Sequence, residues 1–252
     1  MGHAHPELPA HWNLLLHGIA FSEVADKSES TEARRRQLIE FCSRYKERLW
    51  IGLGSWELCG RPMRKPRRPR LSDLIYPRIA RFRSELAQRP QELVERLGIA
   101  KSQPIFDDYR RSIDAFQGLT HAFRTRCAGA KTDEQVLKIV QDPEIITEQI
   151  VLANGGPRLS RAQCRRFPDR FAFTRWLRIL LFYCLVRSQL LEGSKKDLGL
   201  HNASEDAEYL LLASFTGHIA TADKLLQRAA RVIVPGIRIY EWDHQGKQVR
   251  RC

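Results

Sequence analysis

The chain has 252 residues, with 42 Lys and Arg against 29 Asp and Glu, a net charge of +13 and a hydrophobic content of 43%. That length suits one large α/β domain or a domain carrying an insertion, and the composition describes an ordinary globular protein. The excess positive charge favours a polyanionic partner such as nucleic acid, because each phosphate contact releases condensed counterions.

Six cysteines (Cys42, Cys59, Cys127, Cys164, Cys184 and Cys252) are scattered without CxxC or Cys/His ligand spacing, and the eight histidines show no HxxxH or HExxH pattern. A structural zinc site and zinc hydrolysis are therefore disfavoured. Cys42 and Cys184 fall in helical apolar patterns as reduced core thiols, which suits a reducing cytosol. The N-terminus lacks a basic stretch followed by an apolar core. The longest apolar run, Ile179 to Val186, is flanked by Arg178 and Arg187 and is too short to span a membrane. The expectation is a soluble cytoplasmic protein.

In chain order, Trp12 to Leu16 reads as a short buried strand, followed by a turn at Gly18 and a helical segment around 19–25. A helix over 31–49 places Ala33, Leu38, Phe41, Cys42 and Tyr45 on one face. Trp50 to Gly54 reads as a second buried strand, and Ser55 caps a helix that carries Glu57. Strand, helix, strand makes a βαβ unit with parallel strands. From Gly60 to Arg70 the chain mixes prolines with unopposed positive charge and has no regular element. Helices are predicted over 72–88, 90–97, 106–127, 132–140 and 143–153, then from Pro168 to about Leu191. Ser204 reads as the N-cap of a helix over 205–215, and Thr216-Gly217 turns into a brief buried strand over 218–221. A last strand region runs from Arg231 to Trp242, divided by Pro235-Gly236. The outline is an α/β core over 1–60 and 166–252, interrupted by a helical insertion over 61–165 with a basic entry loop at 61–70.

Parallel α/β sheets place function at the C-terminal ends of their strands. A strand that follows a helix returns antiparallel to it, so Asp206 at the helix start and Asp223 after the strand fall at one sheet edge. Glu57 follows the second strand at the same edge, and the first strand ends at His17. Carboxylates gathered this way are costly unless a cation lies between them, and a divalent metal on oxygen ligands is the economical choice. Each acid also has an ordinary explanation, as a helix-start residue favoured by the macrodipole or as a turn residue.

The order of these segments resembles a PIN-domain nuclease: a hydrophobic strand ending in a site residue, Ser55-Trp56-Glu57 after the second strand, Asp206 opening a late helix, and Thr221-Ala222-Asp223-Lys224 after the next strand. The likeness covers about 1–60 and 170–242. It implies a three-layer α/β/α fold with a mostly parallel central sheet, and four acidic positions holding Mg²⁺ or Mn²⁺ for hydrolysis of RNA phosphodiester bonds. Glu57, Asp206 and Asp223 match the second, third and fourth acids. The first falls on His17, within Leu14-Leu15-Leu16-His17-Gly18-Ile19, where the family carries aspartate. Imidazole is a poor ligand for Mg²⁺ and a better one for Mn²⁺. Three readings stand: His17 is a ligand change, it marks lost catalysis, or Glu23 or Asp26 fills the role.

Arg64, Lys65, Arg67 and Arg68 are candidate phosphate contacts that lead from the Glu57 edge, with Lys224 beside Asp223. Asn202 is a candidate to orient a scissile phosphate or a metal-bound water, or is a loop cap, and Thr221 is a further candidate as part of the Thr221-Ala222-Asp223-Lys224 match. The leading expectation is a metal-dependent ribonuclease. The alternatives are a catalytically degenerate protein that binds RNA or docks a partner through its insertion, and a toxin of a toxin–antitoxin pair, with a protein partner or inhibitor.

Overall fold

Two short apolar segments pair side by side. β1 (Leu14–His17) and β2 (Leu49–Gly52) run parallel, with Leu14 opposite Leu49 and His17 opposite Gly52. The structure is a computed structural model and describes residues 8–22, 24, 29–54, 58, 69–76, 85, 88–89, 91–92, 96, 130, 132–142, 175–176, 178–182, 200–242 and 249–251. Parallel strands need a crossover, and it is supplied by α1 (Ile19–Ser22) and α2 (Glu29–Arg44). Arg48 ties the entry to β1 down, donating to the carbonyls of Leu8, Pro9 and Trp12 while its guanidinium lies 5.0 Å over the Tyr45 ring.

Both faces of this pair are covered, which is why the strands read as continuous apolar runs. On one face Leu49 and Ile51 are buried with Phe21, Cys42 and Tyr45, and Leu14 and Leu16 pack against them. On the other, Leu15 packs against a larger core that includes Leu53, Leu58, Trp176, Ile179, Phe182, Leu210 and Leu211. Each such side chain contributes roughly 1.5–3 kcal/mol when fully buried.

The rest of that core comes from elements farther along the chain. α3 (Leu71–Leu74) leads to Ile75, whose backbone bridges antiparallel to Gly52. α4 (Asp133–Val140) begins at Thr132, whose hydroxyl accepts from the Gln135 N–H in a capping box, and it buries Val136 and Val140. α5 (Leu200–Thr216) turns through Gly217 into β3 (His218–Ala220), and α6 (Lys224–Ile233) crosses over to β4 (Arg238–Trp242). Gly217 holds φ +73°, the left-handed conformation that lets a helix stop and the chain reverse. β3 and β4 are parallel, and β5 (Val249–Arg251) adds antiparallel to β4.

The architecture is α/β, with small parallel strand pairs among helices. Several expectations need correction. Among the described residues the strands form two sheets, β1–β2 and β3–β4–β5, in place of one central sheet. The helix expected over 205–215 begins earlier, at Leu200, so Ser204 is an interior residue and Asp206 does not open the helix. The segment Arg231 to Ile233 is the end of α6 and not strand, because Leu226, Ala229 and Ala230 bury at helical spacing and carry the chain through it. The helix expected from Ser72 is interrupted at Ile75, where the backbone pairs with β2. β3 is half-exposed, with His218 and Ala220 outward. Among the described residues, no helix is long and apolar enough to cross a membrane.

Candidate functional site

The directions of three elements define an edge. The tip of Leu212 reaches the level of Leu15 and Gly52: a Cβ at Gly52 would lie 2.5 Å from Leu212 Cδ1 and 3.4 Å from Leu15 Cδ1. Two residues further along β1, His17 meets Glu208 and Tyr209, one turn earlier in α5. As β1 advances, α5 recedes, so the two run antiparallel. The tight turn at Gly217 reverses α5 into β3, which therefore runs in the sense of β1. The end of β1, the N-terminal half of α5 and the segment 221–223 all lie toward the same end of the strands.

His17 is 6% exposed and Glu208 2% exposed, with His17 Nε2 3.2 Å from Glu208 Oε2. Nδ1 accepts the Ile19 backbone N–H at 3.1 Å, which leaves Nε2 as the ring nitrogen on the side of the carboxylate. The approach to Glu208 lies off the N–H direction, so it is an electrostatic contact without a well-directed hydrogen bond. Tyr209 closes the group with its ring edge-on to His17 at 5.7 Å. Glu208 and Tyr209 were not among the residues expected from the sequence. The signal for Glu208 was a carboxylate at the spacing of Leu211 and Leu212, inside the buried face of α5.

Asp206 is half-buried, in the second turn of α5. It lies two positions before Glu208, so the two side chains leave the helix about 160° apart. Asp223 is exposed and is the N-cap of α6: its Oδ1 accepts from the Leu225 and Leu226 N–H groups at 2.7 and 2.9 Å. Thr221 Oγ1 accepts the Asp223 N–H at 3.1 Å, and the buried Gln227 donates to the Thr221 carbonyl at 2.8 Å. Thr221 and Gln227 thus fix the turn that presents Asp223. Lys224 is engaged with Glu241, at 2.7 and 2.8 Å. That pair is exposed, and exposed pairs exchange readily for other partners. Asn202 lies in the first turn of α5 and is therefore not a loop cap. Glu57, Glu23, Asp26, Arg64, Lys65, Arg67 and Arg68 lie outside the described residues.

Among the described residues, no group of three or more His, Cys, Asp or Glu side chains is placed to hold a metal ion. The lone pair at His17 Nδ1 is taken by the Ile19 amide, and Asp223 Oδ1 by two helix amides. These donors alone do not make a metal centre; one at this edge needs a carboxylate from elsewhere in the chain.

Beside His17 opens a cavity of about 450 Å³. All four residues of β1 and all three of β3 line it, together with Trp12, Tyr209, Thr216 and Tyr240. Consecutive strand residues point to opposite faces, so a cavity touched by every one of them lies against the strand edge and not its face. The cavity separates the facing edges of β1 and β3, which pair only with β2 and β4 among the described residues. At its margin Trp12 meets Tyr240 edge-on at 4.5 Å, and the His218 and Tyr240 rings lie nearly parallel, 6° apart in tilt with centroids at 5.9 Å.

No family model, no curated protein and no solved structure matches this chain.

Proposed function

We propose that this chain is a PIN-like, metal-dependent ribonuclease. The observation that carries the reading is the shared direction of β1 and β3 with α5 antiparallel to both. It turns His17, the Asp206 turn and the Thr221–Asp223 segment toward one end of the strands. Cover on both faces of the β1–β2 pair supports a three-layer arrangement, and the net charge of +13 supports a nucleic-acid substrate. In this reading Glu57 joins Asp206 and Asp223 as ligands. Mg²⁺ or Mn²⁺ held there supplies the positive charge that phosphodiester hydrolysis requires. The chain's own part is to fix the carboxylates: the Thr221 hydroxyl and the start of α6 hold Asp223, while α5 holds Asp206.

A second reading is a catalytically degenerate RNA-binding protein of the same design, and the buried His17–Glu208 pair favours it. In this reading the first acid is replaced by an imidazole that is bonded to the Ile19 amide and turned to a buried carboxylate.

The deciding experiment measures cleavage and binding of single-stranded RNA by wild type, Asp206→Asn and Asp223→Asn, with Mg²⁺ or Mn²⁺. The nuclease reading expects ion-dependent cleavage in wild type and its loss in both variants, with binding retained. Binding with no cleavage in either ion selects the degenerate reading. Cleavage that survives both substitutions defeats the assignment of the carboxylates.

A further inference from the structure

We infer that the cavity between the facing edges of β1 and β3 is a pocket for one unstacked nucleobase of a single-stranded RNA. The inference rests on the RNA-directed reading above and adds to it a site for a base, distinct from the acidic edge.

Three observations on the pocket point to that ligand. First, its long walls are backbone edges. Along each edge the peptide N–H and C=O groups of alternate residues point toward the cavity, among mostly apolar side chains. A planar ligand with an apolar face and donors and acceptors along its rim suits walls of this mixed kind. Second, one margin is aromatic. Trp12, Tyr240 and His218 form a ring cluster with contacts of 4.5 and 5.9 Å, and His218 is exposed. Aromatic side chains accept any base by stacking, whereas they give a sugar or an aliphatic chain much less. Third, the size is right. A cavity of about 450 Å³ falls within the range of small-molecule sites, and it has room for a base with its ribose.

The charge of the chain as a whole favours a planar ligand that comes attached to a polyanion. A base arrives on a phosphate backbone, and a chain of net charge +13 attracts that backbone. The pocket also runs from Trp12, ahead of β1, to His17 at its end. A base seated there would bring its own or the neighbouring phosphate to the end of the strands where Asp206 and the Asp223 turn lie.

The test compares binding of a short oligoadenylate with that of an abasic ribose-phosphate oligomer of equal length, at one fixed salt concentration. The chains are wild type, Tyr240→Ala, Tyr240→Phe and His218→Ala. The pocket expects wild type to prefer the oligoadenylate. Tyr240→Ala should weaken that binding by roughly 5- to 150-fold, the value of one stacked base, and His218→Ala should weaken it in the same direction. Tyr240→Phe keeps the ring and should keep the affinity, while binding of the abasic oligomer should be the same for all four chains. His218 is exposed, so His218→Ala decides the matter if Tyr240→Ala does not fold. Equal affinity of wild type for the two oligomers overturns the pocket, and so does oligoadenylate binding unchanged by His218→Ala and by any Tyr240→Ala that folds. The nuclease reading fails separately: base-dependent binding without ion-dependent cleavage leaves the pocket standing, and cleavage by a chain indifferent to these substitutions removes the pocket alone.

Discussion

Arg228 and Asp133, 95 residues apart in sequence, meet through two hydrogen bonds of 2.6 and 2.5 Å. The contact ties α6, in the C-terminal part of the core, to α4, which falls within the segment 61–165. Val136 and Val140 of α4 share one apolar core with Leu226, Ala229 and Ala230 of α6. The ion pair sits at the rim of that contact.

Arg228→Met should therefore destabilise the chain by about 1–2 kcal/mol, because Asp133 is 14% exposed and loses a bidentate partner. The hydrogen bond to Asp133 is the main cause that raises the Arg228 pKa above its ordinary value, with burial opposing it. A raised cationic group contributes its stability in full below its unfolded pKa and loses it only as pH rises through the folded value. The difference between Arg228→Met and wild type in urea midpoint should thus be the same at neutral and mildly alkaline pH, with an unchanged m-value.

At Gly52 a side chain would meet the tip of a buried leucine. With Leu212 Cδ1 2.5 Å from the position of an added Cβ, Gly52→Ala must move a buried leucine and should cost about 1–3 kcal/mol. Leu212→Ala removes the obstruction. In denaturant melts the double variant should lose clearly less stability than the sum of the two single variants. Additive losses would mean that the leucine tip swings aside freely.

At Asp223 the capping and charge roles separate. Asp223→Ala removes the acceptor for two helix amides and should cost roughly 1 kcal/mol. Asp223→Asn keeps an oxygen in that place, so its melting curve should stay within a few tenths of a kcal/mol of wild type. Any divalent-ion-dependent activity should nonetheless be lost in Asp223→Asn, since the amide carries no charge. An active Asp223→Asn would reduce the residue to a helix cap.

His17→Asp would set a second carboxylate against Glu208, in a place where His17 is 6% and Glu208 2% exposed. Two buried like charges should destabilise the metal-free chain by several kcal/mol, on the order of 3–5. A divalent cation between them relieves that repulsion. The melting temperature of His17→Asp should rise steeply on adding Mg²⁺, while that of wild type moves little. If both respond alike, position 17 is not at the ion.

Much of the local structure was legible because it depends on neighbours in sequence. The apolar runs at Trp12–Leu16 and Trp50–Gly54 announce strands, the pattern over 132–140 announces a helix, and Gly217 announces the reversal from α5 into β3. The alternation of these elements announced an α/β chain. Errors fell where burial competes with local propensity. Arg231 to Ile233 has β-branched residues suited to a strand, yet Leu226, Ala229 and Ala230 bury together and hold it helical. Asp206 looked like a helix opener, but α5 starts six residues sooner, at Leu200.

Only the tertiary structure decided what surrounds His17. Its sequence neighbours are apolar, and nothing in them says that Glu208, on a helix some 190 residues later, turns inward to face it. Glu208 sits on the buried face of α5, so its carboxylate meets whichever polar group the packing supplies, and packing supplies the end of β1. The same holds for the cavity between β1 and β3. Each strand's composition dictates an extended conformation, but whether two edges hydrogen-bond or stand apart is a property of how the helices seat them, and no single segment encodes it.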